Sequence, residues 1–510
     1  MRVEIEIIDI SKDGHGIGKH DGMTVFISGG NERAVVGDVV AAEIVKNRKK
    51  SLDAELREVV KPSALRGVPF CGAAGECGGC PLQNMTYEAQ LGLKEKQVRD
   101  KLTRIAGVEE PKITAIKGMD VPFRYRNKAR IAVSERGAGF FSAKSHKVVD
   151  CKTCLINSPP VEAVADVLRK YGKGVVSSAV VRIAFGTGEV MVILELLEGR
   201  HHADRKIIQG MDEAIAAISG GGYSLESTGG SGIRDSLGAL RLEVSPLSFY
   251  QVNPVQAEDL YDKVLEYAAL EGNDTVLDAY CGAGVIGLWC SPSAGRVVGI
   301  ELSESAVRDA NRNAVINGVV NARFICSRTE EELPALAKDG FAADVVILDP
   351  PRAGCKGEAL EAAAKIGAKR IIYVSCDAAT LARDIKILRG FGYEFIEAAT
   401  FDMFPWSLNV EAVALLSKLK STTSIEVKID LDEMDLSKAE SKATYDEIKK
   451  YVLDKFGFKV SQLYIAQVKR KHGIIERDNY NVGDGKSKVP QVPADKEKAI
   501  EEALRYFKMI

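Results

Sequence analysis

The chain lacks a dominant charge of either sign. Lys and Arg number 69 against 71 Asp and Glu, a formal net charge of -2 over 510 residues. Any nucleic-acid contact must therefore come from local basic patches rather than from a basic average. The opening residues, MRVEIEIIDISKDG, have no apolar h-region, which argues against a secretory leader. No run approaches the length of a membrane span. There is no internal repeat and no low-complexity tract. These absences point to a cytosolic protein with no membrane partner, expected to work as a monomer. In that reducing setting its ten cysteines are read as metal ligands, catalytic groups or buried apolar residues, not as structural disulfides.

What is present reads as several domains, since 510 residues exceed what one hydrophobic core serves. Residues 1–60 alternate in short strands, VEIEIIDI, MTVFISG, VVGDVVAAEIV and SLDAELREVV, separated by Gly-rich turns. That pattern predicts a small β-barrel. The basic run Lys46, Arg48, Lys49 and Lys50 favours an oligonucleotide-binding type. Residues 61–245 read as a mixed α+β region. It holds a cysteine cluster, a polar helix over about 86–107 and a Gly-rich loop at 219–232. From 246 to 419 strands and helices alternate as in a doubly wound, Rossmann-like parallel sheet. SKLKSTTS, around 417–424, reads as a linker, and residues 425–510 as a small, charged helical extension.

The chemistry gathers on the α/β region. VLDAYCGAGVIGL sets Asp278, Gly282 and Gly284 on the turn leaving the first strand, where glycines let a ligand approach the backbone. Glu301 ends the next strand, placed to accept hydrogen bonds from a ribose. The turn is G-x-G rather than G-x-G-x-x-G, and no phosphate-binding basic group stands nearby. S-adenosylmethionine, whose adenosine half carries no phosphate, suits it better than a dinucleotide. Two further strands end in Asp349-Pro350-Pro351-Arg352 and Ser375-Cys376-Asp377. Neighbouring parallel strands converge at their carboxyl ends, so Asp349 and Cys376 are expected in one crevice with Gly282 and Glu301. A helix follows Cys376, and its N-terminus is expected to lower the thiol pKa. Cys281, Cys290, Cys326 and Cys355 are read as small buried residues. Glu411, in NVEAVALL, is by itself an ordinary strand glutamate.

CGAAGECGGC spaces Cys71, Cys77 and Cys80 in a metal-site pattern, with a fourth ligand at Cys151 or Cys154. Spacing leaves zinc and an iron–sulfur cluster equal. PFRYRNKARIAV puts Arg124, Arg126, Lys128 and Arg130 at alternate positions, a basic stripe on one face of a strand with Tyr125 on the other. In the tail, YDEIKKYVLDKFGF and QLYIAQVKRKHG, with Ser461 as cap, form a helix, turn and basic helix. A helix-turn-helix and a generic partner-binding appendage explain them equally.

The ordered set SFYQVN (248–253), LDAYCGAG, GIEL, LDPPRAG, VSCDAATLARD and DMFPWSLNVEAVALL resembles the RNA uracil-5-methyltransferases, over residues 1 to about 418. The resemblance implies that Gln251, Tyr280, Glu301 and Asp349 contact S-adenosylmethionine. It implies that Cys376 is a nucleophile toward carbon 6 of a uracil and Glu411 the acceptor of the carbon 5 proton. It makes residues 1–60 a TRAM-type RNA-binding barrel. It also implies a [4Fe-4S] cluster on Cys71, Cys77, Cys80 and Cys154, the last chosen because it precedes the Leu-Ile pair. The implied partner is RNA, 23S ribosomal RNA ahead of transfer RNA. Two departures stand out. The family's SCNP is Ser375-Cys376-Asp377-Ala378 here, and its Thr-x-His-Val-Glu is Ser407-Leu408-Asn409-Val410-Glu411. An amino-directed nucleic-acid methyltransferase and a non-catalytic RNA-binding iron–sulfur protein are the competing readings.

Overall fold

Alternating burial along the first sixty residues produces a six-stranded sheet. Its order is Arg2–Glu6, Val39–Arg48, Ser51–Lys61, Met23–Ser28, Gly16–His20, Asp9–Ile10. The first strand runs on from the one edge to the other. Arg2–Glu6 pairs with Val39–Glu43, and beyond it Ile8 N–H donates to Ile17 O at 2.8 Å while Asp9–Ile10 pairs with Gly16–Ile17. The sheet therefore closes on itself as a barrel, which removes its edges. Its core of Ile5, Ile7, Val25, Ile27, Val40 and Leu52 also takes in Leu82, Met85 and Leu93 from beyond residue 60.

The structure is a computed structural model. It describes all residues except Asn31, Lys144, 218–222, 227–231, Leu247, 420–444, 473–491, Lys508 and Ile510. The expected linker from 420 onward, and most of the Gly-rich loop, lie outside the described residues. The chain divides into two compact units, Met1–Lys420 and Ser421–Ile510.

In the middle of the first unit, strands Val148–Asp150, Gly137–Phe141, Lys128–Ser134, Val176–Ile183 and Val190–Leu196 pair antiparallel, and Tyr223–Glu226 adds on in parallel. Helices Pro159–Tyr171 and Arg205–Ala216 bury Val161, Val164, Leu168, Ile207, Met211 and Ile215 against them.

The third layer is an eight-stranded sheet. Its order is Ala322–Cys326, Arg296–Glu301, Thr275–Ala279, Val345–Leu348, Arg370–Ser375, Glu411–Lys418, Tyr393–Phe401, Ile113–Lys117. Only Glu411–Lys418 runs antiparallel to its neighbours. The central strands are buried almost throughout. Such strands read as continuous apolar runs because helices cover both faces. The last strand, Ile113–Lys117, comes from well before residue 246. The helix Tyr87–Lys101 precedes it and packs Val98 into the same core, and the helical turn Leu102–Ala106 that continues it adds Leu102 and Ala106.

The second unit has helices Tyr445–Phe456, Gln462–Lys471 and Ala494–Tyr506 around Ile448, Val452, Ile465, Val468, Ile500 and Leu504. Gly457, at φ +74°, turns the first helix toward the second, whose cap is Ser461 Oγ accepting from Tyr464 N–H at 3.3 Å. No helix among the described residues is long and apolar enough to cross a membrane.

Candidate active site

The registers of the large sheet line up the predicted residues. Ala279 pairs with both Ile300 and Leu348, so Tyr280, Glu301 and Asp349 follow at the same level. Leu348 pairs with Tyr373, and Ser375 pairs with Ala412. Cys376 and Glu411 therefore stand opposite each other, at one end of two antiparallel strands. The strand ends place Tyr280, Glu301, Asp349, Cys376 and Glu411 along one edge.

The turn after the first strand is strained. Tyr280 has φ +68° and Gly282 φ +54°, and a bulky residue keeps such a conformation only where its surroundings enforce it. Cys281 N–H donates to Ile300 O at 2.9 Å. Gly282 N–H donates to Glu301 Oε2 at 3.1 Å and Ser303 N–H to Oε1 at 2.7 Å. A Cβ at Gly282 would meet open space, whereas one at Gly284 would collide with Ala310 and Phe324 at 2.9 Å. Gly284 is thus a close-packing glycine beneath the turn, and Gly282 the one beside the crevice.

Gln251 arrives from a separate loop, and two residues that sequence reasoning passed over hold that loop. Asn127 Nδ2 donates to Gln251 O and Asn127 N–H to Val252 O, both at 2.9 Å. Arg182, buried, donates to Ser248 O at 2.8 Å. Asn253 then caps the helix Pro254–Ala268. Asn127 lies inside PFRYRNKARIAV without a part in its basic stripe, and Arg182 lies in no motif, so only the pairing of distant strands reveals their role.

Acid side chains crowd the crevice, and Asp278, Asp349 and Glu411 titrate high. Burial, with Asp349 adding to it, pushes Asp278 up to about 8 against the Gly287 N–H. Burial pushes Asp349 up to about 7. Glu411 lies well above the usual carboxylate range, by burial and then by Asp349, with the Arg352 guanidinium opposing. These are the shifts expected of desolvated, neighbouring like charges.

The thiol departs from expectation. Burial pushes Cys376 up to about 11 and Glu411 adds to this, while Arg352 opposes it. The helix Ala378–Gly390 does begin beside it, but Asp377 accepts from Ala379 N–H and Thr380 N–H at 2.9 and 3.0 Å. A carboxylate cap satisfies the helix end, so its partial positive charge does not lower the thiol. The sequence signal for Arg352 was the Pro-Pro-Arg turn itself, to which no role had been attached.

The other cysteines divide. Cys281, Cys290 and Cys355 are buried as expected, but Cys326 is exposed, because Ala322–Cys326 is the edge strand of the sheet. Cys71, Cys77, Cys80, Cys151 and Cys154 all line one cavity of about 310 Å³. Asn157 Nδ2 donates to Cys154 Sγ at 3.1 Å and Gly79 N–H to Cys77 Sγ at 3.4 Å, while Cys151 Sγ donates to Thr153 O at 3.1 Å. The neighbouring Cys151 thiol lowers Cys71 and Cys154, whereas burial pushes Cys80 up to about 12. Among the described residues no three His, Cys, Asp or Glu side chains converge closely enough to hold a single metal ion.

The predicted basic stripe is not a single strand face. The strand begins at Lys128. Arg124 has φ +55° and donates to Cys154 O, Asn157 O and Glu162. Arg126 Nε donates to Lys128 O, and Arg130 pairs with Glu195. The Cys154 loop captures the Arg124 guanidinium, and that bends the chain out of β geometry. Arg126 and Arg130 border the cysteine cavity instead.

Comparison with known proteins agrees with this geometry. The family profile described as tRNA (uracil-5-)-methyltransferase matches residues 240–419, and the TRAM domain profile matches residues 1–56. An uncharacterised RNA methyltransferase of Caldanaerobacter subterraneus is 38% identical over 449 residues, covering 82% of this chain and 98% of its own length. Another, of Halalkalibacterium halodurans, is 36% identical, covering 81% and 96%. The solved structure of Pyrococcus abyssi tRNA (uracil-54, C5)-methyltransferase, in complex with S-adenosyl-L-homocysteine, superposes with a TM-score of 0.62. It is 28% identical and covers 82% of this chain and all of its own. The fold and its strand-end crevice are those of an S-adenosylmethionine-dependent methyltransferase behind an N-terminal TRAM domain. The chain belongs to the RNA uracil-5-methyltransferase family.

Proposed function

We propose that this enzyme methylates carbon 5 of a uridine in 23S ribosomal RNA through a covalent adduct between Cys376 and carbon 6 of the base. The observation that carries this reading is the pairing of Ser375 with Ala412, which sets a thiol and a carboxyl at one strand end. A methylation of an exocyclic amine would require neither group.

The residues present fit the methyl donor. Asp349 keeps part of its surface open to the crevice, and no protein group among the described residues donates to it. Glu301 shapes the turn around the open space at Gly282. We assign donor binding to Gln251, Tyr280, Gly282, Glu301 and Asp349, with Gly284, first read as a donor contact, supporting the turn from beneath. When bound, S-adenosylmethionine supplies an electrophilic methyl group on a sulfonium.

Carbon 5 of a uracil is a poor nucleophile until carbon 6 gains a substituent. The Cys376 thiolate, favoured by Arg352, forms the sulfur–carbon 6 bond and pushes electron density onto carbon 5, which then takes the methyl group. Glu411 removes the remaining carbon 5 proton. The electron pair re-forms the ring double bond and the sulfur leaves. Both groups act ionised: the Cys376 proton passes to water before the sulfur–carbon bond forms, and the Glu411 proton passes to water before the carbon 5 proton is removed, leaving a carboxylate more basic than an exposed one. The target base has to leave its stack to reach a half-buried thiol. The TRAM domain and the arginines bordering the cysteine cavity are assigned to RNA phosphates.

The cysteine cavity fits a [4Fe-4S] cluster on Cys71, Cys77, Cys80 and Cys154. All four thiols line that cavity, and they would hold the cluster there. Hydrogen bonds to sulfur are a regular feature of such sites. Cys154 accepts one from Asn157, whereas Cys151 acts as a donor. The methylation consumes no electron, so the role assigned to the cluster is structural.

The ribosomal assignment rests on the TRAM domain combined with the four-cysteine site. The deciding experiment maps 5-methyluridine in total RNA from cells with and without the gene. Loss of a 23S modification supports this reading, and loss confined to transfer RNA replaces it with the substrate named for the Pyrococcus abyssi enzyme.

A further inference from the structure

The segment from Asp402 to Val410 joins the strand Tyr393–Phe401 to the strand that opens at Glu411, and groups from distant parts of the chain hold its backbone. The carbonyls of residues 403 to 406 accept hydrogen bonds in turn from Asn253 Nδ2 at 3.2 Å, Lys94 Nζ at 3.0 Å, Tyr125 OH at 3.0 Å and Leu82 N–H at 3.1 Å. Asp402, fully buried, accepts from Lys94 Nζ and from Tyr87 OH. Four consecutive carbonyls bonded outside their own hairpin are unusual for a surface connection, whose polar groups ordinarily face water.

Trp406 is the pivot of this segment. Its φ is +68°, a left-handed conformation that costs a bulky residue energy and persists only where packing enforces it. Its backbone N–H donates to Gln90 Oε1 at 3.1 Å and its indole Nε1–H to Pro122 O at 2.7 Å. The ring stacks on Phe123 at 5.4 Å and meets Phe70 edge-on at 4.8 Å. The same buried cluster includes Cys80 and Cys154. From this anchor a short turn leads to the strand end. Ser407 donates to Phe404 O from its N–H at 3.1 Å and from its hydroxyl at 2.9 Å, and Asn409 N–H donates to Ser407 Oγ at 3.3 Å.

We propose that Trp406 is a positioning residue for proton removal. Clamped between the cysteine-rich loop and the Phe123 segment, it holds residues 407–411 so that the Glu411 carboxyl stays opposite Cys376. The proposal rests on the assignment of Glu411 as the base. It makes the sulfur–carbon 6 bond and the methyl transfer independent of Trp406, and the removal of the carbon 5 proton dependent on it.

The test compares full-length wild type with Trp406→Ala, Trp406→Phe, Tyr125→Phe and Glu411→Gln in single-turnover reactions, with methylated protein–RNA adduct quantified by denaturing gel. Trp406→Ala should lower kcat roughly ten- to hundredfold, the scale of a slightly misplaced catalytic group. KM for RNA should be little changed, and methylated adduct should accumulate as in Glu411→Gln. Trp406→Phe, which keeps the ring and loses one hydrogen bond, should largely restore turnover without adduct. Tyr125→Phe frees only the Pro405 carbonyl, so it reads the same step in a folded enzyme if Trp406→Ala does not fold, and adduct should again build up. Loss of kcat with no adduct in either variant, or normal turnover in Trp406→Ala, overturns the proposal. Absence of adduct in Glu411→Gln itself removes the base assignment, a failure distinguishable from that of Trp406.

Discussion

Cys376 and Glu411 occupy facing ends of two antiparallel strands, fixed by the pairing of Ser375 with Ala412. They are 35 positions apart in the sequence, with a helix and the strand Tyr393–Phe401 between them. Hydrogen-bond register sets the separation of their backbones, which suits a mechanism in which both must touch one pyrimidine ring.

The first consequence is a trapped intermediate. With RNA containing 5-fluorouridine at the target, carbon 5 has no proton to give up, so a covalent adduct resistant to denaturation should form at Cys376. Cys376→Ala should form none and should lose methylation by a factor on the order of 10⁴ or more, as when other catalytic nucleophiles are removed. Near-normal methylation by Cys376→Ala would rule the adduct out.

Thiol reactivity in the free enzyme should follow the raised Cys376 pKa. A thiol pushed up to about 11 is mostly protonated at neutral pH, and only the thiolate is alkylated. Iodoacetamide labelling of the Cys376 peptide, followed by mass spectrometry, should therefore keep rising beyond pH 9. Arg352→Gln removes the cation that opposes the shift, so it should slow labelling at every pH below the plateau. A plateau below pH 8 would mean that the helix end governs the thiol after all.

Donor binding should tighten with pH. Asp349, near 7, is largely protonated in acid, and a cationic ligand favours its charged form. Below that value binding has to expel a proton, so affinity for S-adenosylmethionine should rise from pH 5 to 7, by up to roughly tenfold per unit, and level off above 8. Calorimetry in buffers of different ionisation enthalpy counts the proton released. Affinity independent of pH, with no proton release, would contradict the assignment of Asp349 to the donor.

Anaerobically purified protein should be brown and carry about four irons. Cys154→Ser should lower iron content and Cys151→Ser should leave it unchanged, since Asn157 donates to Cys154 while Cys151 is itself a donor. Colourless protein with stoichiometric zinc, or iron lost only with Cys151→Ser, would reassign the site.

Removing residues 421–510 should leave S-adenosylmethionine affinity and methylation of a short RNA intact, because Met1–Lys420 is a compact unit by itself. Any loss should be confined to large or structured RNA. A folded truncation that no longer binds the donor would show that the tail completes the catalytic domain. Deleting the barrel is a poorer experiment, since its core includes Leu82, Met85 and Leu93.

Local signals carried much of this protein in its primary structure. Alternation and Gly turns read as strands for residues 1–60, and buried apolar runs such as VVIL and RIIYVS read as parallel strands because their character is continuous. Motif residues at strand ends, Glu301, Asp349 and Cys376, were legible because a parallel sheet sends its carboxyl ends to one edge whatever the details. Glu411 was not legible by spacing: it opens an antiparallel strand, and only pairing with Arg370–Ser375 brings it to that edge. The direction of the Cys376 shift also depended on three dimensions, because burial and the neighbouring Glu411 outweigh a helix end already capped by Asp377. Arg124 seemed to continue a strand, until the Cys154 loop, 30 residues on, supplied acceptors that favour a left-handed turn. Trp406 lies in the DMFPWSLNVEAVALL run, but nothing in that run gave it a role. Its partners, Leu82, Gln90, Pro122 and Phe123, lie some three hundred residues away, and such long-range hydrogen bonds and ring contacts are properties of the packed chain.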